Sequence, residues 1–179
     1  MPSLYSSVSN GLSLTADWLF KTLWLVESDR NNAKVDTYRK ALWPEISGNV
    51  LELGPGFAES LRFLTHVTIS DGSHVVDSNT ITSYTALEPN VFLYDQLHKN
   101  AETNGFCVEY DHKSYPNCKE LGTIPTRDNM VPFNIVRGTL DDPDNIPQCV
   151  LDNAPYDTVL TSFSLCTVKD PEATIKNII

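Results

Sequence analysis

The sequence predicts an α/β domain in which a doubly wound, mainly parallel sheet is covered by helices. Short apolar strand segments alternate with helical patterns along most of the chain. The first strand runs into two glycines, Gly54 and Gly56, and two of the later strands each end near an acid, Glu88 and Asp141. Strands that alternate with helices form parallel sheets with crossovers on both faces, and ligands bind such sheets at the carboxyl ends of the strands.

The composition is that of a single globular domain with an acidic surface. The 179 residues are 41% hydrophobic and 20% charged, and 13 basic against 23 acidic residues give a net charge of −10. This field repels phosphate backbones, so a nucleic-acid partner is disfavoured. The four cysteines are scattered without a CxxC pair, which disfavours a zinc site and a disulfide framework. No secretory signal is visible at the N-terminus, and a cytoplasmic location is expected.

Residues 1–45 are predicted to form an N-terminal helical cap on a sheet domain that spans 46–179. Apolar residues recur at helical spacing over 13–28, and a second helix is expected over 33–42, ended by Pro44. The first of these helices is apolar on more than one side, which favours a helix sandwiched between the domain and a second covering element. A lid over a ligand and a peripheral membrane contact are the alternatives, and the apolar run is too short to span a bilayer.

The centre of the prediction is the strand Val50–Leu53 and the glycine turn that follows it. Gly54 permits a tight turn, and Gly56 leaves no Cβ between the backbone and a ligand. Ala58 stands where a third small residue allows a helix to pack closely on its strand, and an α-helix with Leu61 on its inner face is expected to follow.

The remaining elements follow from periodicity and turn residues. The predicted elements are a hairpin around the turn at 71–73, strands at 84–88, 133–137 and 157–162, a helix from 89 or 90 to 104, a weak helix over 142–152 and a helix from 170 onward. Residues 107–132 show little periodicity and are predicted to be a surface excursion.

Three acids lie close to the ends of predicted strands. Glu88 ends the second strand, where a carboxylate can accept hydrogen bonds from both hydroxyls of a ribose. Asp141 follows the third strand, where it can accept from an exocyclic amine, and Glu52 is close enough to the turn to bond a ligand's ammonium group or to order the loop. Glu88 and Asp141 could instead be helix-capping acids, but together at the carboxyl ends of consecutive strands they favour a ligand site.

These residues resemble the class I S-adenosylmethionine-dependent methyltransferases in their small-molecule branch, the methyltransferase-like type 11 domains. Four stretches carry the resemblance in the family's order: 50–56, 84–90, 136–141 and 156–168. The last stretch is most similar to methyltransferase-like proteins that alkylate thiols and other small acceptors. Ala58 departs from the third glycine of the first motif, a change that the family tolerates.

The resemblance implies a Rossmann-like fold, S-adenosyl-L-methionine as cofactor and a thiol, amine or oxygen of a small molecule as methyl acceptor. It implies Glu88 as the ribose-binding acid and Asp141 as the adenine contact. The implied cofactor-binding residues are Glu52, Gly54, Pro55, Gly56, Phe57, Glu88, Pro89, Thr139, Leu140, Asp141, Ser162 and Phe163. No catalytic base is identified, and no metal ligand is assigned.

Two other functions stay open. The family continues beyond the last helix with a glycine turn and three strands, so the C-terminal strands are expected to be missing here, and a truncated, non-catalytic protein that binds cofactor or pairs with a partner is one alternative. An NAD-dependent oxidoreductase is the other. It is disfavoured because Glu88 follows Gly56 by 32 residues, whereas a dehydrogenase places this acid about 20 residues past the glycines.

Overall fold

The computed structural model describes residues 4–70, 72–110, 130–162, 164–166 and 168–178. Its strands are β1 (Gly48–Leu53), β2 (His66–Thr68), β3 (His74–Val76), β4 (Ile81–Leu87), β5 (Phe106–Tyr110), β6 (Val131–Val136) and β7 (Thr158–Thr161). Five of them form a sheet in the order β5-β6-β4-β1-β7, and every pairing in it is parallel. The chain leaves β1 for β4 on one side and later returns to β7 on the other, so β1 lies at the point where the strand order reverses.

The helices are α1 (Leu4–Leu42), α2 (Tyr94–Thr103), α3 (Gln148–Asp152) and α4 (Pro171–Lys176). Single 3₁₀ turns occupy Trp43–Glu45, Glu59–Phe63, Val91–Leu93 and Pro143–Asn145. Asp170 caps α4 by accepting a hydrogen bond from the backbone N–H of Ala173 at 2.9 Å, as expected for an Asp-Pro helix start.

The sheet separates two hydrophobic cores. On one face Tyr84 stacks on Phe133 at 5.0 Å between ring centroids, and Phe106 packs edge-on against Phe133 at 5.1 Å, beneath the inner side of α2. On the other face Leu51 of β1 packs with Val150 of α3. Because both faces carry helices over a parallel sheet, the predicted doubly wound, Rossmann-like α/β class is confirmed.

The N-terminal prediction of two helices is wrong, because α1 is one helix of 39 residues. The polar stretch between the two predicted helices contains neither Pro nor Gly, so nothing in it stops helix propagation before Pro44. No helix in the described part of the chain has both the length and the hydropathy that a bilayer span needs.

The α-helix expected directly after the glycine turn is also not formed. Ala58 adopts the left-handed conformation with φ of +53°, which is incompatible with the first turn of an α-helix, and only a 3₁₀ segment, Glu59–Phe63, follows it. Ala58 is nevertheless completely buried, so it does occupy a closely packed position behind the turn.

The start of the predicted surface excursion is a strand. Phe106–Tyr110 forms β5 and pairs in parallel with β6, with Phe106 and Val108 buried in the first core. Gly105, which terminates the preceding helix, is the residue directly before this strand. A short strand that begins so close to a helix end is not evident from periodicity. Residues 111–129 of the predicted excursion lie outside the described residues, and its last two residues, Val131 and Pro132, belong to β6.

The predicted hairpin is confirmed as the antiparallel pair β2–β3, in which Val67 lies opposite Val75. The later strands and helices also fall where they were predicted, with α2 preceded by the 3₁₀ turn Val91–Leu93 and α3 confined to the end of the weak helical stretch.

Candidate ligand-binding cavity at the strand ends

A cavity of about 620 Å³ opens at the carboxyl ends of the central strands. Its floor includes Leu53 at the end of β1, Leu87 at the end of β4 and Leu140 after β6, and Ser162 lies beside them after β7. It therefore lies where the strand order reverses, which is the usual ligand position in open α/β sheets. Its volume is within the range of small-molecule and cofactor sites.

The glycine turn after β1 forms one wall of the cavity and is closely packed. Gly54 has a φ of +60°, and a Cβ on it would lie 2.5 Å from the Cβ of Ser164. Gly56 has a φ of +62°, and a Cβ there would lie 3.3 Å from the indole nitrogen of Trp24 in α1. Both positions therefore need glycine for conformation, and Gly54 needs it for space as well.

Glu88 follows β4, and its side chain links the end of β4 to the glycine turn after β1. Its Oε2 accepts a hydrogen bond from the backbone N–H of Gly56 at 3.1 Å, and its Oε1 accepts one from the N–H of Asn90 at 2.9 Å. The side chain lines the cavity although the residue is only 5% exposed. Burial raises the pKa of Glu88 to about 7, although the two N–H groups oppose that shift.

Glu52 does not line the cavity but lies in the core on the α2 side of the sheet. Its carboxyl group accepts hydrogen bonds from the hydroxyls of Tyr84 at 2.7 Å and Ser60 at 3.3 Å. Burial raises the pKa of Glu52, while the Tyr84 hydrogen bond, the Arg39 charge and the Ser60 hydrogen bond act in the opposite direction. Since Ser60 belongs to the 3₁₀ segment that follows the glycine turn, these bonds fix the chain just beyond the turn.

The loop after β6 places Thr139 and Leu140 on the cavity but Asp141 beside it. The carboxylate of Asp141 accepts hydrogen bonds from the Thr139 hydroxyl and from the backbone N–H of Lys169. These two donors, the Thr139 hydroxyl above all, hold the pKa of Asp141 below its ordinary value. In this structure Asp141 therefore ties its loop to the segment that leads into α4.

Of the other predicted cofactor-binding residues, some line the cavity and others do not. Pro89 and Ser162 line the cavity, whereas Pro55 and Phe57 do not. Phe57 is buried, and its carbonyl accepts a hydrogen bond from the side chain of Asn100 at 2.7 Å. Phe163 lies outside the described residues.

None of the site residues predicted from the sequence lies in α1, yet α1 forms one side of the cavity. Ala16, Phe20 and Trp24 line it at a spacing of four residues, so they form one stripe along the helix. The rings of Phe20 and Trp24 stack with centroids 5.8 Å apart and planes 10° apart. The apolar periodicity over 13–28 was the available signal, but periodicity does not distinguish a core stripe from a cavity wall.

Hydrogen bonds fasten α1 over the strand ends. The side chain of Asn90 donates to the backbone carbonyl of Asp17 at 3.0 Å, which joins α1 to the loop that carries Glu88. Toward the other end of the helix, buried Arg39 donates to the hydroxyl of Ser162 at 2.9 Å and to the side chain of Asn32 at 2.6 Å. The predicted covering helix is thus present, and its inner stripe faces the cavity. The expected second covering element is not found among the described residues, because Trp18, Leu23 and Val26 on this helix are 53%, 66% and 73% exposed.

No protein-family model matches the chain, and no curated protein matches it. A solved chain from the "Complex between the Haloferax volcanii Trm112 methyltransferase activator and the putative methyltransferase" is similar, with 17% sequence identity and a TM-score of 0.45. The similarity covers 89% of this chain and 51% of that one, so this chain spans about half the length of the protein it matches.

Proposed function

We propose that this chain binds S-adenosyl-L-methionine in the cavity and transfers its methyl group to a thiol, amine or oxygen of a small molecule. The observation that carries the proposal is the position of Glu88. A buried carboxylate at the end of β4 lies against the glycine turn of the neighbouring β1 and borders a cavity of cofactor size.

The residues around Glu88 fit the nucleoside part of this cofactor. Each carboxylate oxygen of Glu88 holds one backbone N–H, and each retains a lone pair for a ribose hydroxyl. Leu140, Gly54 and Gly56 line the cavity together with Glu88 and provide apolar surface beside it. Thr139 lies next to Leu140, so the loop after β6 is the part of the cavity that would contact the base.

The bound cofactor would supply a methyl group already activated by its sulfonium, so the protein's contribution is positioning and exclusion of water. Gly54 and Gly56 keep the backbone free of Cβ atoms at the cavity wall, and Glu88 orients the ribose. The α1 stripe covers the site, and Asn90 holds that helix in place.

Glu88 also makes binding dependent on pH. A carboxylate accepts from two ribose hydroxyls only when it is ionised, and the pKa of Glu88 is about 7. The affinity is therefore expected to rise about tenfold between pH 6 and pH 8, because the ionised fraction rises by that factor.

The proposal is tested by calorimetric titration of S-adenosylmethionine, and separately of NADH, into the purified chain, Glu88→Ala and Glu88→Gln. The exposed Glu172 on α4 provides a matched control as Glu172→Gln. Methyl-donor binding that is lost in both Glu88 variants and kept in the control supports the cofactor site, and methyl transfer to a panel of thiols, amines and phenols then tests catalysis.

A folded chain that binds neither cofactor would refute the proposal and favour the non-catalytic, partner-pairing alternative. Binding of NADH but not of the methyl donor would favour an oxidoreductase. Binding of the methyl donor without transfer to any acceptor would limit the function to cofactor binding.

A further inference from the structure

The part of the cavity that borders α1 has a more apolar surface than the part around Glu88. One wall is the stripe of Ala16, Phe20 and Trp24, and Val168 adds a further apolar group on the side of α4. The stacked rings of Phe20 and Trp24 form a continuous aromatic surface rather than a cage of perpendicular walls.

Most of the polar side chains on this cavity already have hydrogen-bond partners within the protein. Asn90 donates to α1 and accepts from the backbone N–H of Phe92 at 3.0 Å, so both ends of its amide are used. The Ser164 hydroxyl shares a hydrogen bond of 2.5 Å with Thr161, and the Thr174 hydroxyl donates to a backbone carbonyl at 2.9 Å. The Ser162 hydroxyl accepts from Arg39. These groups therefore present fewer available hydrogen-bond donors and acceptors to a ligand than their number implies.

The charges on the cavity have one sign. Its charged side chains are Asp17 and Glu88, and within the described ranges no Lys, Arg or His lines it. An anionic group placed there would lose its hydration and meet Asp17 and the partly ionised Glu88. The protein as a whole carries a net charge of −10, which acts in the same direction. The nearby guanidinium of Arg39 does not line the cavity and already donates to the side chains of Ser162 and Asn32.

We infer that the α1 side of the cavity is an acceptor subsite for molecules that have an apolar, ring-sized body and no negative charge, and that it excludes anions. This inference rests on the proposed function, because it names the class of molecule that receives the methyl group. Phe20 and Trp24 are the side chains that contact the apolar body. The acceptor's nucleophilic atom is then its only polar feature within the cavity.

Three naphthalene compounds with nearly equal volume test the inference: 2-naphthol, 2-naphthoate and 2-naphthylmethylamine. At pH 7 they are neutral, anionic and cationic, and their binding to the full 179-residue chain is measured by calorimetry. We expect naphthol to bind at least about tenfold more tightly than naphthoate, because an unpaired anion is costly in an apolar, acidic cavity. Phe20→Ala and Trp24→Ala are each expected to weaken naphthol binding roughly five- to tenfold, because each removes an aromatic contact surface.

Trp18→Ala is the matched control, since Trp18 belongs to the same helix, is 53% exposed and does not line the cavity. It should leave naphthol binding unchanged. Thermal melts identify any variant that unfolds, and Phe20→Leu, which keeps apolar bulk, should bind naphthol within about twofold of the parent chain.

The inference is overturned if naphthoate binds as tightly as naphthol or as the amine, or if the folded chain binds none of the three. It is also overturned if the Phe20 and Trp24 variants bind like Trp18→Ala. Its failure is distinguishable from that of the proposed function, because S-adenosylmethionine is titrated separately. Cofactor binding without selective naphthol binding refutes only the subsite, whereas selective naphthol binding without cofactor binding refutes only the methyltransferase proposal.

Discussion

Ionisation of Glu88 should control the stability of the protein between pH 5 and pH 8. In the unfolded chain this carboxyl group titrates near its ordinary pKa of 4.5, but in the folded protein its pKa is about 7 because it is buried. The folded state therefore binds more protons than the unfolded state in this interval, and the stability that Glu88 contributes falls as the pH rises through it. The pKa difference corresponds to a loss of about 3 kcal/mol in the free energy of unfolding.

Glu88→Gln removes the titration while keeping a side chain of nearly the same shape. At pH 5 glutamine resembles the protonated glutamic acid, so we expect the variant and the parent to have similar stability there. At pH 8 the parent carries the net penalty of a buried carboxylate, which remains even though this carboxylate accepts from the N–H groups of Gly56 and Asn90, whereas the variant has no such pH-dependent penalty.

The assay is urea unfolding at half-unit pH intervals, followed by far-ultraviolet circular dichroism. Other ionisable groups titrate in both proteins, so the informative quantity is the difference in unfolding free energy between parent and variant at each pH. We expect that difference to change by about 3 kcal/mol in favour of the variant from pH 5 to pH 8. A difference that stays constant would refute the argument, because it would show that Glu88 does not titrate in this interval. Glu172→Gln, at an exposed position, should give a constant difference.

Three further substitutions test other contacts. Gly54→Ala should destabilise the fold by about 2 kcal/mol or more, because the new Cβ would lie 2.5 Å from the Ser164 Cβ on a residue with a left-handed backbone conformation. A thermal melt like that of the parent would contradict this packing. Tyr84→Phe removes a hydroxyl that donates to buried Glu52, and denaturant unfolding should show a loss of about 1–3 kcal/mol. Asn90→Ala should cost about 1 kcal/mol and speed limited proteolysis within α1, and unchanged cleavage would show that this side chain does not secure the helix.

The sequence predicted the parts of the fold that depend on residues close together along the chain. The positive φ angles at Gly54 and Gly56 need glycine, and the acid at Glu88 directly follows a buried strand, so these features were visible as residue types at fixed positions. The strand alternation then implied a parallel sheet, since consecutive strands joined by helices have few other arrangements.

The features that the sequence did not predict depend on contacts between distant segments. Ala58 is held in a left-handed conformation in a closely packed position, which overrides the helical periodicity after the turn. Glu52 and Asp141 are both acids near strand ends, but only the folded structure shows that each is bonded to other parts of the protein and that neither lines the cavity. The pairing of β5 with β6 likewise comes from partners 25 residues apart, such as Phe106 and Val131.

The position of α1 couples ligand binding to the local opening of the helix. A molecule in the cavity would contact both the α1 stripe and the strand ends, so it binds only while the helix is docked. Part of its binding energy would therefore oppose every fluctuation that lifts α1 away. Amide hydrogens of α1 near Phe20 and Trp24 should exchange with deuterium more slowly as the ligand concentration rises, in proportion to occupancy. The backbone of this helix would thus report occupancy of the site without any chemical turnover.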